Sequence, residues 1–238
     1  MLRLLATHSP EAASALARAC LSSRVGPGLA PRRPLVSVLL NYFRRPRKIG
    51  PLVDDLEEAC VETGVACELV VNVDNPHEAA AWAAAAACRP GFVVPVFSHN
   101  LHEARGYNRA ARMARGDILD DQLPPINPRW LTDLAALFRA YPRLGVLVDF
   151  APMAFRASAF WSLGGLEEGW SLRGDCGITS DFEVSMRAWA AGWMVGAGTG
   201  LGGAAGWMVG AGTGLGGGGR ASAGGVRGGG SGGGGCVA

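Results

Sequence analysis

Three short runs of apolar and β-branched residues, Leu35–Leu40 (LVSVLL), Glu68–Val73 (ELVVNV) and Phe92–Phe97 (FVVPVF), are separated by two stretches of helical periodicity. In the first stretch Ile49, Leu52, Val53, Leu56 and Cys60 share one helical face, and Asp54, Asp55, Glu57 and Glu58 fall mostly on the other. The second runs from Glu78 to Cys88. Runs this short and this apolar suit strands buried on both faces. Parallel neighbours need a crossover helix between them, so strand-helix alternation predicts an α/β sandwich with a largely parallel sheet. Ligands of such sheets sit beyond the carboxyl ends of the strands. The chemistry is therefore expected on the segments after Leu40, Val73 and Leu119.

Further along, Asn108–Arg115 reads as a helix stopped by Gly116. Asn127-Pro128 is a cap and first-turn pair for another helix, with Leu131, Leu134 and Phe138 inward and an end at Tyr141-Pro142. A last helix starts near Asp181, carries Phe182, Ser185, Met186 and Trp189 on one stripe, and stops at Gly192. Trp161, Trp170 and Trp189 are expected in the core or on an acceptor platform.

The flanks differ in composition. Residues 1–33 are rich in Arg and Ser with Glu11 as their acid, which fits an organelle-targeting leader or an unstructured start. Residues 197–238 are mostly glycine and cannot bury enough apolar surface to offset chain entropy, so a disordered tail is expected there. A perfect tandem copy, AAGWMVGAGTGLGG, spans Ala190–Gly203 and Ala204–Gly217. Two glycine-rich units do not make a solenoid. This leaves residues 34–196 as the folded domain.

A net charge of +2 argues against a nucleic-acid partner, which would call for many uncompensated basic residues. Alanine inflates the 49% hydrophobic fraction, and no run reaches the roughly 18 to 20 apolar residues of a membrane span. The expectation is a soluble, cytoplasmic protein, or an organelle-targeted one if the leader acts as such. Cys20, Cys60, Cys67, Cys88, Cys176 and Cys236 form no CxxC pair, so thiols in a reducing compartment are expected.

The strand ends carry the polar residues. Asn41-Tyr42-Phe43-Arg44-Arg45-Pro46 follows the first strand, Asp74-Asn75-Pro76 the second, and Asp120-Asp121-Gln122 the short run Ile118-Leu119. Adjacent carboxylates at a strand end suit a divalent cation on a diphosphate, or simply a solvated turn. Asp74 could equally cap its own turn, and Asp181 could be a helix N-cap. Arg105 and Arg187 could be salt-bridge residues.

Taken in order, these segments resemble family 2 glycosyltransferases. LVSVLLNYFRRPRKIGPLVDDL is similar to that family's opening strand, turn and amphipathic helix, with Asn41 on the donor side. CELVVNVDNP is similar to its second strand, which implies a nucleotide-base contact at Asp74. SHNLHEARGYNRAARMARGDIL resembles its N-x-G-x-x-x-A-R-N segment and A-R-G-D, placing donor contacts near Arg105 and Asn108. DDQLPPINPRWL looks like the metal-binding aspartate motif, with Asp121 as the main ligand and Asp120 beside it, contacting metal and donor. GITSDFEVSMRAWAAGW resembles the E-D-x-D-L-x-x-R helix, which puts the catalytic base at Asp181 and further substrate-side positions at Glu183 and Arg187.

The resemblance implies a GT-A-like fold and an inverting transfer of sugar from a nucleotide-diphosphate donor to an acceptor hydroxyl. Mn²⁺ or Mg²⁺ would be the cofactor, and the acceptor is unidentified. The sequence also departs from the family. Only Ile118 and Leu119 separate Gly116-Asp117 from Asp120-Asp121, and two residues at about 3.3 Å each cannot cross a sheet. The run between Leu147 and Asp149 is short, and Ser180 replaces the acid before Asp181. An incomplete sheet and impaired turnover follow as expectations, with a catalytically inactive nucleotide-binding or interaction protein as the alternative. A Rossmann-type reading fails because no GxGxxG follows the first strand.

Overall fold

The computed structural model describes residues 33–44, 48–120, 129–148, 153–170, 180–198 and 207–210. Eight strands form one sheet: β1 Val36–Tyr42, β2 Cys67–Val73, β3 Val93–Phe97, β4 Ile118–Asp120, β5 Leu144–Val148, β6 Met153–Arg156, β7 Met194–Gly198 and β8 Trp207–Gly210. The helices are α1 Ile49–Thr63, α2 Ala79–Cys88, α3 Glu103–Met113, α4 Trp130–Ala140, α5 Ala157–Ser162 and α6 Ser180–Ala190. The strand order is β3-β2-β1-β4-β6-β5-β7-β8. Pairings β1–β2, β2–β3, β1–β4 and β5–β7 are parallel; β6 runs antiparallel to β4 and β5, and β8 antiparallel to β7. The expected α/β sandwich with a mostly parallel sheet is present.

Side chains alternate across the sheet and build two cores. Val36, Val38, Leu69 and Val71 face α1, α2 and α4, meeting Val53, Leu56, Trp82, Leu131 and Phe138. Leu39, Val70, Leu119 and Val146 face α3, α5 and α6, meeting Ala110, Phe160, Val184 and Ala188. Trp82 lies edge-on to Tyr42, the last residue of β1, with ring centroids 5.1 Å apart.

Several sequence expectations are corrected. Strand β1 continues through Asn41 and Tyr42, because both stay in register with Asn72 and Val73 of β2. Helix α3 begins at Glu103 rather than Asn108, since Ala104 adds a buried turn ahead of Ala110 and Ala111. Glu57 is buried rather than solvated, because it and Asp54 pair with the buried Arg89 that ends α2. Removing Glu57 or Arg89, the two buried members, costs about 3–5 kcal/mol. Helix α4 has Arg129 at its N-cap, while Asn127 and Pro128 lie outside the described residues.

The stripe expected on α6 lies on its exposed side. Phe182, Met186 and Trp189 are exposed, as is Trp161, and Val184 and Ala188 are the residues that enter the core. Cys60 and Cys67 are joined as a disulfide rather than held as thiols. Gly64, at φ 66°, reverses the chain after α1 and brings the two Cα atoms to 6.1 Å, within bridging range.

The boundary at 197 falls inside β7, and the second repeat copy supplies β8, because the outer edge of β7 offers it a ladder. Residues 199–206 and 211–238 lie outside the described residues. Among the described residues no helix is long and apolar enough to cross a membrane.

Candidate functional site

The amino ends of the central strands are fastened by one buried carboxylate. Glu68 accepts bonds from Ser37 Oγ (2.7 Å) and from the backbone N (2.6 Å) and Nε (2.8 Å) of Arg115. Ser37 Oγ in turn accepts the Gly116 amide at 2.8 Å. A Cβ on Gly116 would stand 2.7 Å from the Ser37 nitrogen, so only glycine fits there. Strand β4 therefore starts at the amino rim, where Ile118 gives its amide to Leu35. Its three residues oppose Val36, Ser37 and Val38.

At the carboxyl rim a second polar network joins β1, β2 and β3. Asp74, directly after β2, is 2% exposed. One of its oxygens accepts Ser98 Oγ and the Leu101 amide, each at 2.8 Å, and the other accepts the His102 amide at 3.1 Å. Asn72 donates to Asn41 Oδ1 at 2.9 Å, and Asn41 Nδ2 reaches the His102 carbonyl at 3.3 Å. A carboxylate with three donors folds the 98–102 loop over the strand ends. Asn100 (φ 54°) and His102 (φ 66°) both take positive φ in that loop.

Helix α3 leaves this loop towards the turn at 163–168. Asn108 is buried; its Oδ1 accepts the Leu166 amide at 2.9 Å, and its Nδ2 donates to the Leu166 carbonyl (2.8 Å) and to Glu168 (3.0 Å). Arg105 lies 3.8 Å from the Glu168 carboxylate. Across the turn, Arg187 donates to the carbonyls of Leu163 (2.6 Å) and Gly165 (2.9 Å) and forks onto Glu183 one helical turn earlier. Gly165 takes φ 84° and approaches Asn108 so closely that a Cβ would sit 2.7 Å from Asn108 Oδ1.

Asp181 stands at the head of α6, in the first turn, where the helix dipole favours a carboxylate. Its charge is felt by Glu103 at the head of α3. Desolvation, and then the charge of Asp181, raise the Glu103 carboxyl above its ordinary range. Glu103 directly follows the loop that Asp74 holds.

The structure places Asn41 and Asp74 together at the carboxyl rim, and Arg105, Asn108, Glu183 and Arg187 around the 163–168 turn. Asp120 ends β4 at the level of Val38, well below that rim, and Asp121 lies outside the described residues. Among the described residues no three ligating groups gather into a metal cluster. Sequence reading missed Ser98 and Asn72, though Ser98 directly follows the third strand and could have been found by the same rule as Asp74. It also missed Glu103.

No protein-family profile matches the chain, and no curated protein matches it by sequence. Solved structures match its fold. A mannosyltransferase from Pyrobaculum calidifontis (PcManGT), in complex with GDP-Man and Mn²⁺, aligns with a TM-score of 0.56 at 18% identity, over 82% of this chain and 64% of that one. GalNAc-T7, solved with UDP, GalNAc and Mn²⁺, aligns with a TM-score of 0.51 at 12% identity, over 79% of this chain and 51% of that one. This chain therefore spans about half to two-thirds of the proteins it matches. The fold is that of GT-A nucleotide-sugar transferases.

Proposed function

We propose that this chain is a family 2-type glycosyltransferase domain that binds the nucleoside diphosphate of a sugar donor at the carboxyl rim of β1, β2 and β3. The observation that carries the reading is the buried Asp74 carboxylate, which holds the 98–102 loop over the strand ends of a GT-A fold, where Asn41 meets the His102 carbonyl. The base of the donor would lie against this loop. In the transfer, Asp181 takes the proton of the acceptor hydroxyl as general base while that oxygen attacks the anomeric carbon from the face opposite the diphosphate, with inversion. A divalent cation held by Asp120 and Asp121 would supply charge neutralisation to the leaving diphosphate. Asn108, Glu183 and Arg187 act through the chain: they hold the 163–168 turn, which carries Glu168 towards Arg105.

A second reading, nucleotide binding without turnover, is favoured by the position of Asp120 beside Val38. In register Asp120 stands four residues before the end of β1, which favours donor binding at the rim without the cation. Calorimetry with UDP and GDP, with and without Mn²⁺, tests both. Binding lost in Asp74→Asn supports the site, and unchanged binding removes it. Metal-independent binding without sugar transfer supports the second reading.

A further inference from the structure

We infer that the edge of β8 away from β7 is a docking surface for a second copy of this chain, and that two β8 strands pair antiparallel about a two-fold axis at Val209. β8 ends the strand order, with β7 on one side and no further strand on the other among the described residues. Sheet edges are ordinarily protected by charges or proline. From Ala188 to Gly219 the sequence contains neither, so both copies of the repeat lie in an unguarded stretch.

The backbone direction of β8 follows from its neighbours. Met194 gives its amide to Arg143 on the β5 side at 2.8 Å, so alternation turns the peptide groups of Val195 and Ala197 towards β8. Val195 opposes Gly210 and Ala197 opposes Met208, so Gly210 and Met208 point back at β7. The peptide groups of Trp207 and Val209 are left facing away from β7. These two are the repeat copies of Trp193 and Val195, and Val195 is a residue through which β7 receives β8. The chain thus carries the accepting edge of β7 twice, once occupied and once at the margin of the sheet.

The same strand sequence already pairs antiparallel with its duplicate, always with a large residue against a small one: Trp207 with Gly198, Met208 with Ala197, and Val195 with Gly210. A two-fold axis at Val209 keeps that rule for Met208 against Gly210 and joins the two outward Val209 peptides by a reciprocal pair of hydrogen bonds. A second copy is the occupant argued here because it brings the identical edge in a self-complementary register.

Sedimentation velocity of the full chain through about a hundredfold dilution should show a reversible dimer, by mass action. Val209→Pro removes the outward amide while keeping the Met208 and Gly210 bonds to β7, and it should yield a monomer whose thermal midpoint equals that of the parent at the dilution where it is monomeric. A dimer formed instead by exchanging β8 onto the partner's β7 uses Met208 and Gly210, so it would survive Val209→Pro. That survival would overturn the proposal, as would a monomeric parent at every concentration. Should the variant not fold, hydrogen exchange on the parent decides: the Val209 amide gains protection with concentration while Gly210 stays protected throughout. A Val209 amide unprotected at all concentrations overturns the pairing.

Discussion

Asp120 is the register partner of Val38, and β1 continues four residues further to Tyr42 before it reaches the rim where Asp74 begins. At strand rise this places Asp120 about 13 Å short of the network that would cradle a donor. The displacement has a local cause. Glu68, Ser37 and Arg115 fasten Gly116 to the amino end of the sheet, so β4 cannot slide upward as a unit. Lengthening β4 is the direct remedy. Four β-branched residues inserted between Leu119 and Asp120 preserve the side-chain alternation and carry the carboxylate to the level of Tyr42. Calorimetry should then show Mn²⁺-dependent tightening of nucleoside diphosphate binding by about tenfold or more, equal to about 1.4 kcal/mol. Equal affinity in the short and lengthened chains would remove Asp120 from the cation reading.

Gly106 gives a test of the Asn41 network. Glycine to alanine inside a helix ordinarily stabilises by about 1 kcal/mol. Here a Cβ would lie 2.2 Å from Asn41 Oδ1, so Gly106→Ala should destabilise instead, by about 1–3 kcal/mol as an overpacked site does. In an Asn41→Ala background the obstruction is gone, and the same substitution should turn stabilising. Denaturant midpoints of the four proteins measure the reversal. A stabilising Gly106→Ala in the parent background would mean that Asn41 does not stand over α3.

The strands were legible because a buried strand needs little more than a short apolar run, and LVSVLL, ELVVNV and FVVPVF became β1, β2 and β3 with shifts of one or two residues at their ends. The shortness of β4 was legible too, since a count of residues between Asp117 and Asp120 bounds the distance covered. Side-chain partners were not. Asn108 and Arg187 bind a turn distant from both in sequence, and no periodicity in α3 or α6 points to it. Glu57 looked solvated because its helical face is acidic, and Arg89, its partner, sits beyond an entire strand. The α6 stripe was visible as a stripe, but spacing alone does not say which side of a helix meets the sheet. Val184 and Ala188, small and buried, form that side.

His102 combines φ 66° with ψ −174° at the N-cap of α3, a region of backbone space that is favourable essentially for glycine alone. Its amide and carbonyl are held there by Asp74 and Asn41, so strain is carried by the loop that closes the rim. His102→Gly should relieve it and raise stability by about 1 kcal/mol, after allowing for the greater unfolded entropy of glycine. The denaturant midpoint should rise with an unchanged slope. A lower midpoint would show that the imidazole contributes more than the backbone costs.

Glu103 and Asp181 supply the pH dependence. The folded-state carboxyl of Glu103 is raised from 4.5, by desolvation first and by the charge of Asp181 second. The folded state therefore binds that proton more tightly than the unfolded chain, and stability from this group falls as pH rises from about 4.5 through the raised value. Below that window both states are protonated and the group contributes no slope. Glu103→Gln should match the parent in stability at acid pH and exceed it increasingly towards neutrality. Asp181→Asn should lower the Glu103 pKa without restoring its ordinary value, because the larger cause, desolvation, remains. Carbon-detected NMR titration of Glu103 in the parent and in Asp181→Asn, from about pH 3 to about pH 8, reads both effects. Identical titration curves would show that the heads of α3 and α6 do not face each other. That result would detach Asp181 from the rim where a donor and acceptor would have to meet.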